Sequence, residues 1–178
     1  MPSASLMEQP RSARFIFRGR GPAVAAAGAA FGVALPQQPC RAAEAGPRAA
    51  LWLGPDEWLL IAPHGAGEAV ERDMAAGVCS FPHSLVEVSD RQVAVTVSGA
   101  GAELVLSAGC PLDLDITAFP VGACTRTVLG KTEIVLWRRT DGVFHLEVWR
   151  SFAAYLAAFL EEAMWGLERS GTHSQVQD

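Results

Sequence analysis

A chain of 178 residues is long enough for one domain, or for two small halves sharing a core. Half of it is hydrophobic (50%) and only 19% is charged, which excludes a disordered chain. The net charge of -5 removes the general electrostatic motive for binding nucleic-acid backbones or anionic lipid.

Residues 1–12 are polar and mixed, and read as a disordered tail without the basic-then-apolar order of a signal peptide. Ala13 to Arg18 alternates Phe15 and Phe17 with arginines, as a strand with one wet face does. Pro22 to Phe31 is a helix of small residues. The apolar run to Leu35 lacks the Leu, Ile and Val density of a membrane span. Pro36 to Pro47 holds three prolines and reads as a loop. Ala49 to Leu53 and Trp58 to Ala62 are strands paired across the turn Gly54-Pro55-Asp56-Glu57. A helix over Gly67 to Ala76 keeps Glu68, Glu71, Arg72 and Asp73 on its wet side, and Leu85 to Val88 is a strand. The order β-α-β-β-α-β is that of the split βαβ, or ferredoxin-like, unit.

Similar parts follow. Val93, Val95 and Val97 mark a half-buried strand, and Gly101 to Ala108 a short helix closed by a left-handed residue at Gly109. Ala123 to Leu129 and Thr132 to Trp137 flank Gly130-Lys131, and Val143 to Val148 follows Asp141-Gly142, both favoured hairpin turns. In the last helix Ser151 is the predicted N-cap, and Phe152, Tyr155, Leu156, Phe159 and Ala163 form its apolar stripe. Residues 170–178 read as a second disordered tail. Trp52 to Asp56 and Trp137 to Asp141 have the same spacing, each ahead of a strand and a helix. This echo suggests two related halves, about 13–89 and 90–169, of a single domain spanning 13–169.

Chemistry-bearing constellations are sparse. Cys40, Cys79, Cys110 and Cys124 form no C-x-x-C and stand at no metal-ligand spacing from a histidine, so no metal site is predicted. Free thiols fit a reducing compartment, and the predicted address is the cytoplasm. The pairs Gly19/Gly21, Gly65/Gly67 and Gly99/Gly101 complete neither a dinucleotide fingerprint nor a P-loop. His64, His83 and His173 sit in unrelated loop or tail settings. His145 shares a strand face with Glu147, an arrangement open to acid–base work in a hydrolase or to a plain cross-strand pair. Asp113 and Asp115 follow Gly109-Cys110-Pro111 and suit a binding loop or a capped connection. In Val88-Ser89-Asp90-Arg91-Gln92, Asp90 and Arg91 either tie a chain corner or face a ligand or partner. No catalytic residue is predicted.

An ordered set of segments carries a resemblance: Leu51-Trp52-Leu53-Gly54-Pro55-Asp56-Glu57-Trp58-Leu59-Leu60, Val86-Glu87-Val88-Ser89-Asp90-Arg91, Val97-Ser98-Gly99, Leu104 to Leu114, Arg126-Thr127 and Val148-Trp149-Arg150-Ser151-Phe152. Together they resemble the gamma-subunit family of heterotetrameric sarcosine oxidase, within the glycine-cleavage T-protein and folate-binding superfamily. That resemblance implies an α+β fold of two ferredoxin-like halves. It also implies a non-catalytic supporting role beside alpha, beta and delta subunits, in an enzyme that demethylates sarcosine to glycine and passes the one-carbon unit to tetrahydrofolate. It implies FAD, FMN, NAD, zinc and tetrahydrofolate for the holoenzyme and no cofactor on this chain.

Under that reading the five tryptophans supply candidate anchors for docking, with Trp149 and Trp165 beside the last helix foremost. The alternative is a stand-alone folate-binding or aminomethyltransferase-like protein in which Asp90 and Arg91 edge a pocket.

Overall fold

The computed structural model describes residues 3–172. The chain divides into two compact units, one over Pro10–Arg91 and one made of Met1–Gln9 with Gln92–Asp178. Each has its own five-stranded sheet and its own apolar core.

The first strand of the chain, β1 (Ser5–Glu8), belongs to the second unit. The unit over Pro10–Arg91 runs β2 (Ser12–Gly19), α1 (Pro22–Phe31), β3 (Ala42–Ala45), β4 (Arg48–Gly54), β5 (Glu57–Pro63), α2 (Gly67–Val78) and β6 (His83–Glu87). Its strand order is β3-β4-β5-β2-β6, and every pairing is antiparallel. Alternation on β2 sends Phe15 and Phe17 into the core, where they meet Trp58 and Leu60 of β5 and Met74 and Val78 of α2. Each such aromatic, fully removed from water, contributes about 1.5–3 kcal/mol of transfer free energy.

The Ala and Gly content of α1 has a packing cause. A methyl group added at Gly77 of α2 would stand 2.7 Å from Ala30 Cβ, so the two helices meet through small side chains. Pro22 opens α1 at its first turn, and Gly32, with φ 79°, closes it by donating to Gly28 O.

The expected loop over 36–47 is in part a strand. Ala42–Ala45 pairs with β4 at the sheet edge, because the three prolines lie outside it and Gly46, at φ 55°, turns the chain back.

The second unit contains β7 (Gln92–Ser98), α3 (Ala102–Ser107), β8 (Cys124–Leu129), β9 (Thr132–Thr140), β10 (Val143–Trp149), a 3-10 turn (Arg150–Phe152) and α4 (Ala153–Thr172). Its sheet order is β1-β7-β10-β9-β8, again antiparallel. Both units follow one plan. A first strand (β2 or β7) lies between the third strand of the motif (β5 or β10) and an outer strand (β6 or β1). The remaining hairpin strand (β4 or β9) is followed by an added edge strand (β3 or β8). This is the ferredoxin-like order with one extra strand, and the fold class is α+β.

Five sequence expectations change here. Residues 1–12 are not wholly a tail, because Ser5–Glu8 pairs with Val95 to Ser98 and Ser12 begins β2. In Ser5-Leu6-Met7-Glu8 the two apolar residues are adjacent, so there is no alternation to read. Gly109 is not left-handed. A Cβ there would collide with the Phe159 ring and stand 2.9 Å from Gly130 N, so close packing explains the glycine. Ser151 caps nothing, since it lies inside the 3-10 turn that precedes α4. The buried stripe of α4 is Leu156 and Leu160, flanked by Phe159, Ala163, Met164 and Leu167, while Phe152 and Tyr155 stay exposed. Of the expected tail over 170–178, α4 continues to Thr172, and 173–178 fall outside the described residues.

Candidate interaction surface

Asp90 and Arg91 lie on the turn after β6, both exposed. Asp90 stands 3.6 Å from Arg11, with side chains 85% and 71% exposed, a solvated pair of little energetic weight. Arg91 N closes the turn onto Val88 O at 3.0 Å, and further atoms tie the corner. Arg14 N donates to Ser89 Oγ at 2.9 Å, Ser89 Oγ donates to Glu87 Oε1 at 2.7 Å, and Val88 N donates to Arg14 O at 2.7 Å. The sequence sets Ser89 among the turn residues of this segment and assigns the tie to Asp90 and Arg91. A serine two residues after a strand glutamate is a usable signal for such a tie.

Beside this corner is an open groove of about 340 Å³ whose walls include Glu68, Glu71, Glu87, Asp90, Arg11 and His64. Arg91 is not one of its walls. Four carboxylates against one guanidinium suit a cation better than the anionic tail of a folate.

His145 and Glu147 do share a face of β10. Nε2 and Oε1 are 2.9 Å apart, both side chains are buried, and the Trp137 ring meets His145 edge-on at 5.7 Å. Neither lines any groove described here. His83 Nδ1 donates to Phe81 O at 2.8 Å and its ring stacks on Phe17, while His173 lies outside the described residues.

The aspartates after α3 cap their own loop. Asp113 Oδ1 accepts from Asp115 N at 3.0 Å, and Asp115 Oδ1 accepts from the Thr117 hydroxyl at 2.6 Å and the Thr117 amide at 2.8 Å. The Thr117 hydroxyl holds the Asp115 carboxyl below the usual carboxylate range, helped by the same residue's backbone. Among the described residues no cluster of three His, Cys, Asp or Glu is arranged to hold a metal ion. Among the described residues no helix is long and apolar enough to cross a membrane.

Exposed apolar side chains are distributed unevenly. Among the described residues, Met7, Leu104, Ile116, Val121, Val128, Trp149, Phe152, Tyr155 and Trp165 are exposed on the second unit, against Val86 on the first. Trp149 is 47% and Trp165 65% exposed, so the two tryptophans singled out in the sequence are surface residues. Trp149 ends β10, and Trp165 stands on α4 beside β1. There Ala4, Ser5, Leu6, Glu161, Met164 and Trp165 line a groove of about 360 Å³. Large aromatics left in water cost solvation free energy, and such residues mark binding surfaces more often than chance.

Residues 18–165 match the sarcosine oxidase gamma subunit family. The chain is 37% identical over 141 residues to sarcosine oxidase subunit gamma of Arthrobacter sp., covering 79% of this chain and 68% of that one. It is 36% identical, over the same shares, to the corresponding subunit of Corynebacterium sp. (strain P-1). Its fold is similar to a chain of the heterotetrameric sarcosine oxidase from Corynebacterium sp. U-96, solved with pyrrole 2-carboxylate. The TM-score is 0.85 at 28% identity, over 92% of this chain and 84% of that one. The glycine cleavage aminomethyltransferase T of Bartonella henselae shares the fold at TM-score 0.68 and 14% identity, over 89% of this chain and 45% of its own. With a family match over most of its length and relatives above a third identical, this chain belongs to the sarcosine oxidase gamma subunit family.

Proposed function

We propose that this chain is the gamma-type subunit of a heterotetrameric sarcosine oxidase and supports the assembly without supplying catalytic groups. The observation that carries this reading is likeness over 92% of the chain to one chain of such a heterotetramer. The chemistry of the site agrees with it. The polar clusters that the sequence singled out are engaged in local ties: Ser89 with Glu87 and Arg14, Asp115 with Thr117, His145 with Glu147. Apolar side chains, by contrast, stand exposed on the second unit.

In this reading the partners are alpha, beta and delta subunits in the cytoplasm. FAD, FMN, NAD, zinc and tetrahydrofolate belong to those partners, which oxidise sarcosine to glycine and pass on the one-carbon unit. Asp90 and Arg91 then act at the surface and hold no folate.

Co-expression with the other subunits is the test. A stable complex, and loss of sarcosine oxidation when this chain is omitted, is the expected result. A lone chain that never associates, or that binds tetrahydrofolate at micromolar concentration by itself, overturns it.

A further inference from the structure

The outer edge of the second unit's sheet is chemically incomplete in a way that specifies its occupant. In the register of β1 against β7, Ser5 faces Ser98 and Met7 faces Thr96, and Gln9 N donates to Ala94 O at 2.8 Å. Antiparallel pairs alternate between hydrogen-bonded and non-hydrogen-bonded, so Ser5, Met7 and Gln9 bond inward to β7. On the other side of β7, Gly99 N donates to Gly142 O, which places Val95 and Val97 in the bonded pairs with β10 and fixes the same phase independently. The N–H and C=O groups of Leu6 and Glu8 therefore point away from the sheet.

Next to that edge is the groove of Ala4, Ser5, Leu6, Met164 and Trp165, with Glu161 on its wall. Glu8, the last residue of β1, is itself exposed. Edge strands are ordinarily blunted by being short or charged, and β1 is short. A tryptophan 65% exposed beside it works against such protection.

We infer that this edge receives an extended segment of a partner subunit, added as a sixth strand beside β1. The segment inserts an apolar side chain between Met164 and Trp165 and carries a Lys or Arg toward Glu161. Strand addition draws affinity from backbone bonds and specificity from pockets for alternate side chains, and both are present here. A second copy of this chain is the poorer occupant. Pairing β1 with β1 across a two-fold would gather two sets of Glu8 and Glu161 at one seam, where like charges repel. The inference rests on the subunit reading given above.

Hydrogen exchange on the lone chain and on the co-expressed assembly tests it. The amides of Leu6 and Glu8 should exchange roughly tenfold more slowly in the assembly, while those of Ser5 and Met7, already bonded, change less. Glu8→Pro removes an outward N–H and no internal bond, and Trp165→Glu removes the apolar anchor. Each should weaken assembly by about tenfold or more without moving the thermal midpoint of the lone chain. A wild-type chain that assembles with unchanged Leu6 and Glu8 exchange overturns this inference alone, as do both variants assembling normally. A lone chain that dimerises through β1, with Glu8→Pro dissolving the dimer, overturns it in favour of a second copy. A wild-type chain that does not assemble overturns both this inference and the subunit reading.

Discussion

Arg138 and Glu103 form an ion pair in which one partner is wholly buried and the other reaches water. Nη2 donates to Oε1 at 2.8 Å, with the arginine side chain 0% and the glutamate side chain 39% exposed. The same Nη2 donates to Leu114 O, the guanidinium lies 4.5 Å from the Phe144 ring centre, and Nη1 stands 3.7 Å from Asp141. One cation thus joins α3, the loop before β8 and the β9–β10 hairpin.

Removing either partner should be costly, and unequally so. Arg138→Ala should lose about 2–5 kcal/mol, because it leaves a cavity against Phe144 and strands the Leu114 carbonyl. Glu103→Ala leaves the cation with a carbonyl and a distant aspartate, and should lose about 1–3 kcal/mol. Urea unfolding midpoints of the two variants check the order.

Asp56 provides a pH signature. Its carboxylate accepts from Arg18 at 3.1 Å and from Arg20 at 3.1 and 2.8 Å, and these bonds, Arg18 first, hold it below the usual carboxylate range. A depressed folded-state pKa contributes stability that is fully present above the unfolded value, about 3.9, and lost as pH falls through the folded one. Wild type and Asp56→Asn should therefore differ by a constant amount from near neutral down to about pH 5. The gap should close on further acidification, as read from denaturant midpoints across that range.

Two glycines should respond in opposite directions. Gly109→Ala forces a methyl group against Phe159 and Gly130, and should cost about 1–3 kcal/mol. Gly166 sits in α4 with no heavy atom within 4 Å of an added Cβ, so Gly166→Ala should gain about 0.5–1 kcal/mol. Thermal or urea unfolding of both variants decides the matter.

Tyr155 ties α4 to the β8–β9 turn, since its hydroxyl accepts from Lys131 N at 3.0 Å. Tyr155→Phe keeps the ring against Phe159 and should cost about 0.5–1.5 kcal/mol, measured in the same way.

What the sequence disclosed depended on where the information lay. Phe15 and Phe17, the three alternating valines of β7, and the Gly130-Lys131 and Asp141-Gly142 turns are local signals, and each predicted its element. The edge strands β1 and β3 have no such signal. Ser5–Glu8 becomes a strand because Val95 to Ser98 lies beside it, some ninety positions away in the chain. Candidate-site residues divide similarly. Trp149 and Trp165 were found because a large aromatic draws notice by type alone. Ser89 shows one partner by spacing, Glu87, but its second, Arg14, is 75 residues away, and Arg138 meets Glu103 across 35 residues.

The pairing of β1 with β7 bears on biosynthesis. The amino end leaves the ribosome first, yet its docking site is translated only after the whole of Pro10–Arg91. At about 5–20 residues per second, that strand waits roughly 5–20 s for its neighbour. A nascent chain that has emerged only as far as Arg91 would hold one finished unit and one orphaned strand, free to be captured by whatever sheet edge it meets.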